Sequence, residues 1–140
     1  MELNGNNICK GAIVMNKDIE KRDKILFGSY NPDDYMGGIK RFDNVTVETL
    51  NKLIDEEFLD GDGTQNYSPT VDKFIEFMEE YPNWTAFGYA VSNHRGDYRI
   101  TVTGIERNEG MTQIDKELED FVDLARHAEE FDIKGYCWWD

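Results

Sequence analysis

The chain has 140 residues, a formal net charge of −14 and 13% aromatic residues. This charge disfavours direct binding to nucleic acid or to an anionic membrane, and the aromatic content excludes a largely disordered chain. The length favours a single domain over residues 1–140. Residues 1–7 are polar and expected to fray, and Met15 offers an alternative start that would leave residues 1–14 outside the fold.

The elements before residue 46 are the least distinct. The apolar run at residues 11–15 is interpreted as part of a strand, the charged stretch DIEKRD at 18–23 as a surface segment of one or two helical turns, and KILFGSY at 24–30 as a short strand. The Asn-Pro and Gly-Gly pairs of residues 31–38 predict a loop.

Three amphipathic helices are predicted from there on. The first starts at the N-cap Thr46, with apolar residues at helical spacing as far as Phe58. The second starts at Ser68 with a proline in its first position, and Pro82 stops it. The third starts at Thr112 and ends near Glu130.

A hairpin over residues 84–105 and a strand at residues 135–139 complete the predicted elements. The first hairpin strand places small residues on one face: Ala86, Gly88 and Ala90. Such a row lets a helix or large rings approach the sheet closely. The predicted fold is therefore α+β, a two-layer sandwich of three amphipathic helices on a small, mainly antiparallel sheet.

The stretch FLDGDGTQNYS at 58–68 resembles a calcium-binding loop between two helices. A loop starting at Asp60 has Asp62 at its third position, but it has Gln65 where the turn needs glycine and Val71 where the bidentate carboxylate belongs. The stretch is therefore interpreted as a glycine-loosened link, with Asp60 and Asp62 as weak metal-ligand candidates. The tripeptide Arg95–Asp97 is likewise interpreted as turn chemistry rather than an adhesion motif.

No catalytic residue or cofactor is predicted, because the sequence contains no nucleophile elbow, P-loop or dinucleotide fingerprint. A small carboxylate-based enzyme, with or without a divalent metal, remains an alternative. A metal would bind at one of two groups, Glu56, Glu57, Asp60 and Asp62, or Asp123, His127 and Glu130.

The two cysteines, Cys9 and Cys137, follow neither a metal-binding nor a disulfide pattern. With no signal peptide and no stretch that could span a membrane, a cytoplasmic location is expected.

The acidic residues are concentrated in the helical segments. Residues 42–80 hold eleven acidic and two basic side chains, and residues 111–140 hold nine and three. The preferred hypothesis is a non-enzymatic protein that binds a basic partner protein through acidic helix faces, as an inhibitor, immunity protein or nucleic-acid mimic of bacterial or phage mobile-element origin would. The predicted acidic surface comprises Glu56, Glu57, Asp60, Asp62, Glu76, Glu79, Glu80, Asp123 and Glu130.

Tryptophans are the candidate aromatic anchors for that partner: Trp84, Trp138 and Trp139. Trp138 and Trp139 face opposite sides of the last strand, and one of them is expected to enter the core together with Tyr136. In a third hypothesis the protein is an accessory domain whose acidity serves only solubility.

Overall fold

A computed structural model describes residues 14–109, 115–132 and 134–139. In chain order the elements are α1 (Ile19–Phe27), β1 (Ile39–Val45), α2 (Val47–Asp55), α3 (Val71–Glu80), β2 (Trp84–Val91), β3 (Ile100–Arg107), α4 (Lys116–Leu124), β4 (Glu130–Asp132) and β5 (Tyr136–Trp138). The strands form one antiparallel sheet in the order β1-β2-β3-β5-β4. The predicted α+β fold is confirmed, with four helices in place of the three expected.

Side-chain caps explain where α2, α3 and α4 begin. Thr46 caps α2 as predicted, because its hydroxyl accepts the backbone N–H of Thr49. α3 is capped by Thr70 instead of Ser68, whose hydroxyl accepts the N–H of Gln65 in the preceding turn at 2.7 Å. Asp115 caps α4, and the predicted cap Thr112 lies outside the described residues.

The chain before residue 46 departs most from the prediction. The strand predicted at residues 24–30 is wrong, because α1 continues to Phe27. Gly28 follows as its C-cap, with a positive φ of 85° that glycine adopts readily. The strand that does form here is β1, which pairs with β2 at the edge of the sheet. Its sequence IKRFDNV buries only Phe42 and Val45, so it shows little of the alternation expected for a strand.

The core lies between the helices and one face of the sheet. The row of small residues on β2 faces this core, and large rings fill the space above it. Phe77 packs on Trp84 at 5.0 Å between ring centroids, and Trp84 packs on Phe121 of α4 at 4.6 Å. The other face of the sheet carries half-buried aromatic rings from β2 and β5, including the stacked pair Phe87 and Tyr136.

α2 is shorter than predicted. It ends at Asp55, and Phe58, which was expected to belong to the helix, is fully buried from the turn that follows. In the part of the chain that the structure describes, no helix is long and apolar enough to cross a membrane.

Candidate functional site

A groove between α3 and α4 is lined by four acidic side chains, and we call it the acidic groove. It has a volume of about 240 Å³. Its lining residues are Lys73, Glu76, Phe77, Glu80, Tyr81, Asp120, Asp123 and Leu124. Four of these residues carry carboxylates and one is a lysine, and Leu124, together with the largely buried Phe77, provides the apolar part of the lining.

Helical spacing places these carboxylates in pairs. Glu76 and Glu80 are four residues apart on α3, and Asp120 and Asp123 are three apart on α4, so each pair lies on one face of its helix. Apolar packing beneath them, between Phe77 and Phe121, holds the two helices together. The core therefore holds these like charges close to one another, and Lys73, Lys116 and Arg126 pair with three of the four carboxylates.

Tyr81 connects the two sides of the groove. Its hydroxyl donates a hydrogen bond to Oδ2 of Asp120 at 2.6 Å, and Lys116 Nζ lies 2.9 Å from the same oxygen. The Tyr81 bond, followed by that of Lys116, lowers the pKa of Asp120. The same bond to Asp120 raises the pKa of the Tyr81 hydroxyl, so that Asp120 stays ionised and Tyr81 protonated at neutral pH.

The positive charges around the groove are exposed and loosely held. Lys73 Nζ lies 3.8 Å from Glu76 Oε1, and both side chains are largely exposed. Arg126 pairs with Asp123 at the outer rim, again between exposed side chains. Exposed pairs of this kind contribute little to stability, so a competing cation can displace them at small cost.

The predicted acidic surface is divided among several places. Glu76, Glu80 and Asp123 meet in the acidic groove. Glu79, which directly precedes Glu80 on α3, turns towards α2 and accepts a hydrogen bond from the side-chain amide of Asn51 at 3.1 Å. Glu56 pairs with a lysine of α1, Lys21, at 2.6 Å.

Glu57 and Glu130 also lie apart from the acidic groove. Glu57 is exposed in the left-handed turn after α2, with φ of 66°. Glu130 lies on the far edge of the sheet, where its carboxylate accepts the indole N–H of Trp138 at 2.8 Å.

The loop at residues 60–63 uses its acidic side chains to form a turn. Asp60 Oδ1 accepts the N–H of Asp62 at 2.9 Å, and the carbonyl of Asp60 accepts the N–H of Gly63. The carboxylate of Asp72 fills the space where a side chain on Gly61 would lie, 2.4 Å from the Cβ position. These contacts fasten the loop to the start of α3.

Neither predicted metal site is assembled. Among residues 14–109, 115–132 and 134–139, no three His, Cys, Asp or Glu side chains come together in a way that could hold a metal ion. The group of Asp123, His127 and Glu130 fails because α4 ends at Leu124, so the three residues do not share a helix face, and Glu130 belongs to β4. The metal-dependent enzyme hypothesis therefore has no site in the described residues.

Two of the three tryptophans proposed as anchors lie in the core. Trp84 is fully buried and Trp139 is 1% exposed, so neither offers an exposed ring to a partner. Trp139 shares its side of the chain with the buried Cys137 and meets the ring of Phe74 at 5.5 Å. The expectation that Tyr136 accompanies the buried tryptophan is wrong, because Tyr136 and the half-buried Trp138 share the other side.

The surroundings of Cys137 and Arg95, two other residues singled out in the sequence, indicate structural roles. Burial raises the pKa of the Cys137 thiol to about 12, so the thiol stays protonated and unreactive at neutral pH. Arg95 pairs with Asp97 within the hairpin turn and donates to the carbonyl of Gly37 at 3.2 Å, which joins the turn to the start of β1. Cys9 lies outside the described residues.

Asp120 and Tyr81 were missed as site residues. The signal for Asp120 was present, because Lys116, Asp120 and Asp123 follow the spacing of one helix face. Tyr81 lies just beyond the end of α3, where its side-chain direction could not be read from helical spacing.

No protein-family model matches the chain, and neither the curated proteins nor the solved structures contain a match to it.

Proposed function

We propose that the protein binds a basic partner protein and that the acidic groove is its main contact site. The partner would present one or more lysine or arginine side chains to α3 and α4. An inhibitor, an immunity protein or a nucleic-acid mimic, acting in the cytoplasm of a bacterium or encoded by a phage, fits this proposal. It does not require nucleic acid or a membrane as a ligand.

A single observation carries the proposal: four carboxylates from two helices line one groove together with Phe77 and Leu124. Phe77 is largely buried, so a lysine or arginine would lay its methylene groups on the half-buried Leu124 while its charged head reaches Glu76, Glu80 or Asp123. A uniformly solvated acidic helix provides the charge without that apolar contact.

The charge of the whole chain supports the same role. A net charge of −14 attracts a basic protein over distances of about a Debye length, roughly 8 Å at physiological salt. Association with such a partner is accelerated at low salt and slows as salt is added.

A labelled oligolysine peptide tests the groove directly. The variant E76Q/E80Q removes two groove carboxylates, and E20Q/E109Q is its matched control, because it removes the same charge from two exposed glutamates outside α3 and α4. At roughly 0.3–1 kcal/mol for each lost charge contact, we expect E76Q/E80Q to weaken binding about 3- to 30-fold. The control should weaken binding by less than about twofold, and fluorescence anisotropy at low salt and at roughly 0.15 M salt measures both.

Equal weakening in the two variants would show that charge acts diffusely, and the proposed groove would then be wrong. Absence of any salt-sensitive binding by the wild-type chain would favour the accessory-domain hypothesis, in which acidity serves solubility alone. A pull-down from the source cell at low and high salt, with both variants alongside, extends the same comparison to the natural partner.

A further inference from the structure

The outer edge of the sheet next to α4 carries an apolar groove, which shares Asp123 with the acidic groove and is otherwise lined by different residues. β4 is the last strand in the sheet order, so no strand in the described chain pairs with its outer side. Two large apolar side chains remain well exposed here, Val122 at 40% and Phe131 at 42%. Together with Leu118 they line a groove of about 550 Å³, which we call the edge groove.

The strand register decides which way the β4 side chains point. Phe131 is opposite Cys137 and lies on the helix-covered face, where its ring meets Phe121 at 6.1 Å. Glu130 and Asp132 are opposite Trp138 and Tyr136, and they lie on the other face of the sheet. The edge therefore alternates acidic, apolar and acidic positions.

We propose that the edge groove accepts an extended segment of the basic partner as a sixth strand. A residue opposite Phe131 would point towards α4 and cover Val122 and Leu118, so it should be apolar. Its two neighbours would face Glu130 and Asp132 across the strands, so they should be lysine or arginine. The edge thus selects the pattern basic–apolar–basic.

The basic character of the occupant rests on the proposed function, whereas the alternation rests on the register alone. A second copy of this chain is a poor occupant, because pairing two β4 edges would bring Glu130 and Asp132 of each copy against the same acidic side chains of the other. Like charges directly opposite one another destabilise a strand pair. Both copies also carry a net charge of −14.

The edge groove also has acidic side chains at its rim. Glu119 and Asp123 line it together with Arg126, which is already paired with Asp123. A basic segment therefore meets complementary charge along both the strand and the helix. Because β4 has only three residues, the added strand would be short, and the acidic groove would supply further affinity.

Two peptides of identical composition test the alternation. One alternates lysine and valine, and the other places all its lysines before all its valines. We expect wild-type protein to bind the alternating peptide at least about fivefold more tightly, because only that order matches the faces of β4. The variant V122Q, on the exposed side of α4, should reduce this preference to less than about twofold, and V14Q is its control at another exposed valine.

The outcomes separate this inference from the acidic-groove proposal. Equal binding of the two peptides to wild-type protein, or an unchanged preference in V122Q, would overturn the edge groove. The variant E76Q/E80Q should weaken both peptides and leave the preference between them intact. If it leaves both affinities unchanged while V122Q abolishes the preference, the acidic groove is wrong and the edge groove stands. The variant F131T removes the apolar side chain of β4 itself and should likewise reduce the preference for the alternating peptide. Cooperative thermal unfolding is the check that this variant is folded.

Discussion

Arg22 and Asp23 are neighbours in α1 that are both fully buried, with Arg22 Nε donating to Asp23 Oδ1 at 2.9 Å. The remaining guanidinium nitrogens donate to the carbonyl of Val91 at 2.9 Å and to the hydroxyl of Tyr35 at 2.8 Å. Tyr35 in turn donates to the second oxygen of Asp23. The ring of Tyr98 lies 4.7 Å from the guanidinium carbon. This cluster fastens α1 to the end of β2, to the hairpin turn before β3 and to the loop before β1.

We predict that R22M destabilises the protein by about 3–5 kcal/mol, because it leaves the Asp23 carboxylate buried without its cationic partner. Lys24 is exposed on the same helix, and K24M should change the free energy of unfolding by no more than about 0.5 kcal/mol. Urea denaturation measures both. Similar losses in the two variants would mean that the buried pair has no special role.

This cluster also marks the limit of what the sequence could predict. The stretch DIEKRD has a surface composition, and the burial of Arg22 and Asp23 depends on partners 12 to 76 residues away, at Tyr35, Val91 and Tyr98. By contrast, α2, α3 and the hairpin follow from periodicity and capping within the segment itself, and they were predicted.

The candidate site was also predicted only where local sequence spacing determines it. Local spacing identified Glu76, Glu80 and Asp123 as surface acidic residues. It could not tell that α3 and α4 would bring them together, or that Glu79 would turn away towards α2. That information lies in helix packing between segments some 40 residues apart, which a single sequence does not reveal.

Two glycines of the hairpin are predicted to tolerate no side chain. A Cβ on Gly88 would lie 2.0 Å from the carbonyl oxygen of Thr101, and one on Gly104 would lie 2.2 Å from that of Cys137. Because the obstacles are backbone atoms, G88A and G104A should each cost about 1–3 kcal/mol or more. Gly96 in the hairpin turn has nothing within 4 Å of its Cβ position, so G96A should be neutral or stabilise by up to about 1 kcal/mol. A loss in G96A equal to the other two in urea denaturation would refute this steric explanation.

The two buried tryptophans are predicted to differ in their response to phenylalanine. Trp84 donates its indole N–H to Glu117 at 2.7 Å, and Arg107 binds the same carboxylate at 2.9 Å. The indole N–H of Trp139 is buried and has no hydrogen-bond partner among the described residues. W84F loses a charged hydrogen bond, whereas W139F removes an unsatisfied donor, so W84F should cost roughly 2 kcal/mol more. Both side chains are almost fully buried, so each variant loses a similar amount of buried apolar area. Equal losses of stability in thermal or urea unfolding would contradict the prediction.

The hydrogen bond between Tyr81 and Asp120 is predicted to make the acidic groove sensitive to pH. The bond lowers the pKa of Asp120, so its stabilising effect is present above the ordinary aspartate pKa of about 3.9 and is lost as the pH falls through the lowered value. On the alkaline side the pKa of Tyr81 is raised, so the same effect is full below about pH 10 and is lost only as the pH rises through that raised value.

In Y81F the pKa of Asp120 should therefore rise towards its ordinary value, which an NMR titration of the Asp120 side-chain carboxyl carbon measures. The variant K116Q provides the comparison, because Lys116 binds the same oxygen and also lowers the pKa of Asp120, through a hydrogen bond and through its charge. We expect the pKa of Asp120 to rise in both variants. The difference in unfolding free energy between wild type and Y81F should also shrink below about pH 4. An Asp120 pKa that stays low in Y81F would show that the Tyr81 hydroxyl does not hold the two sides of the groove together.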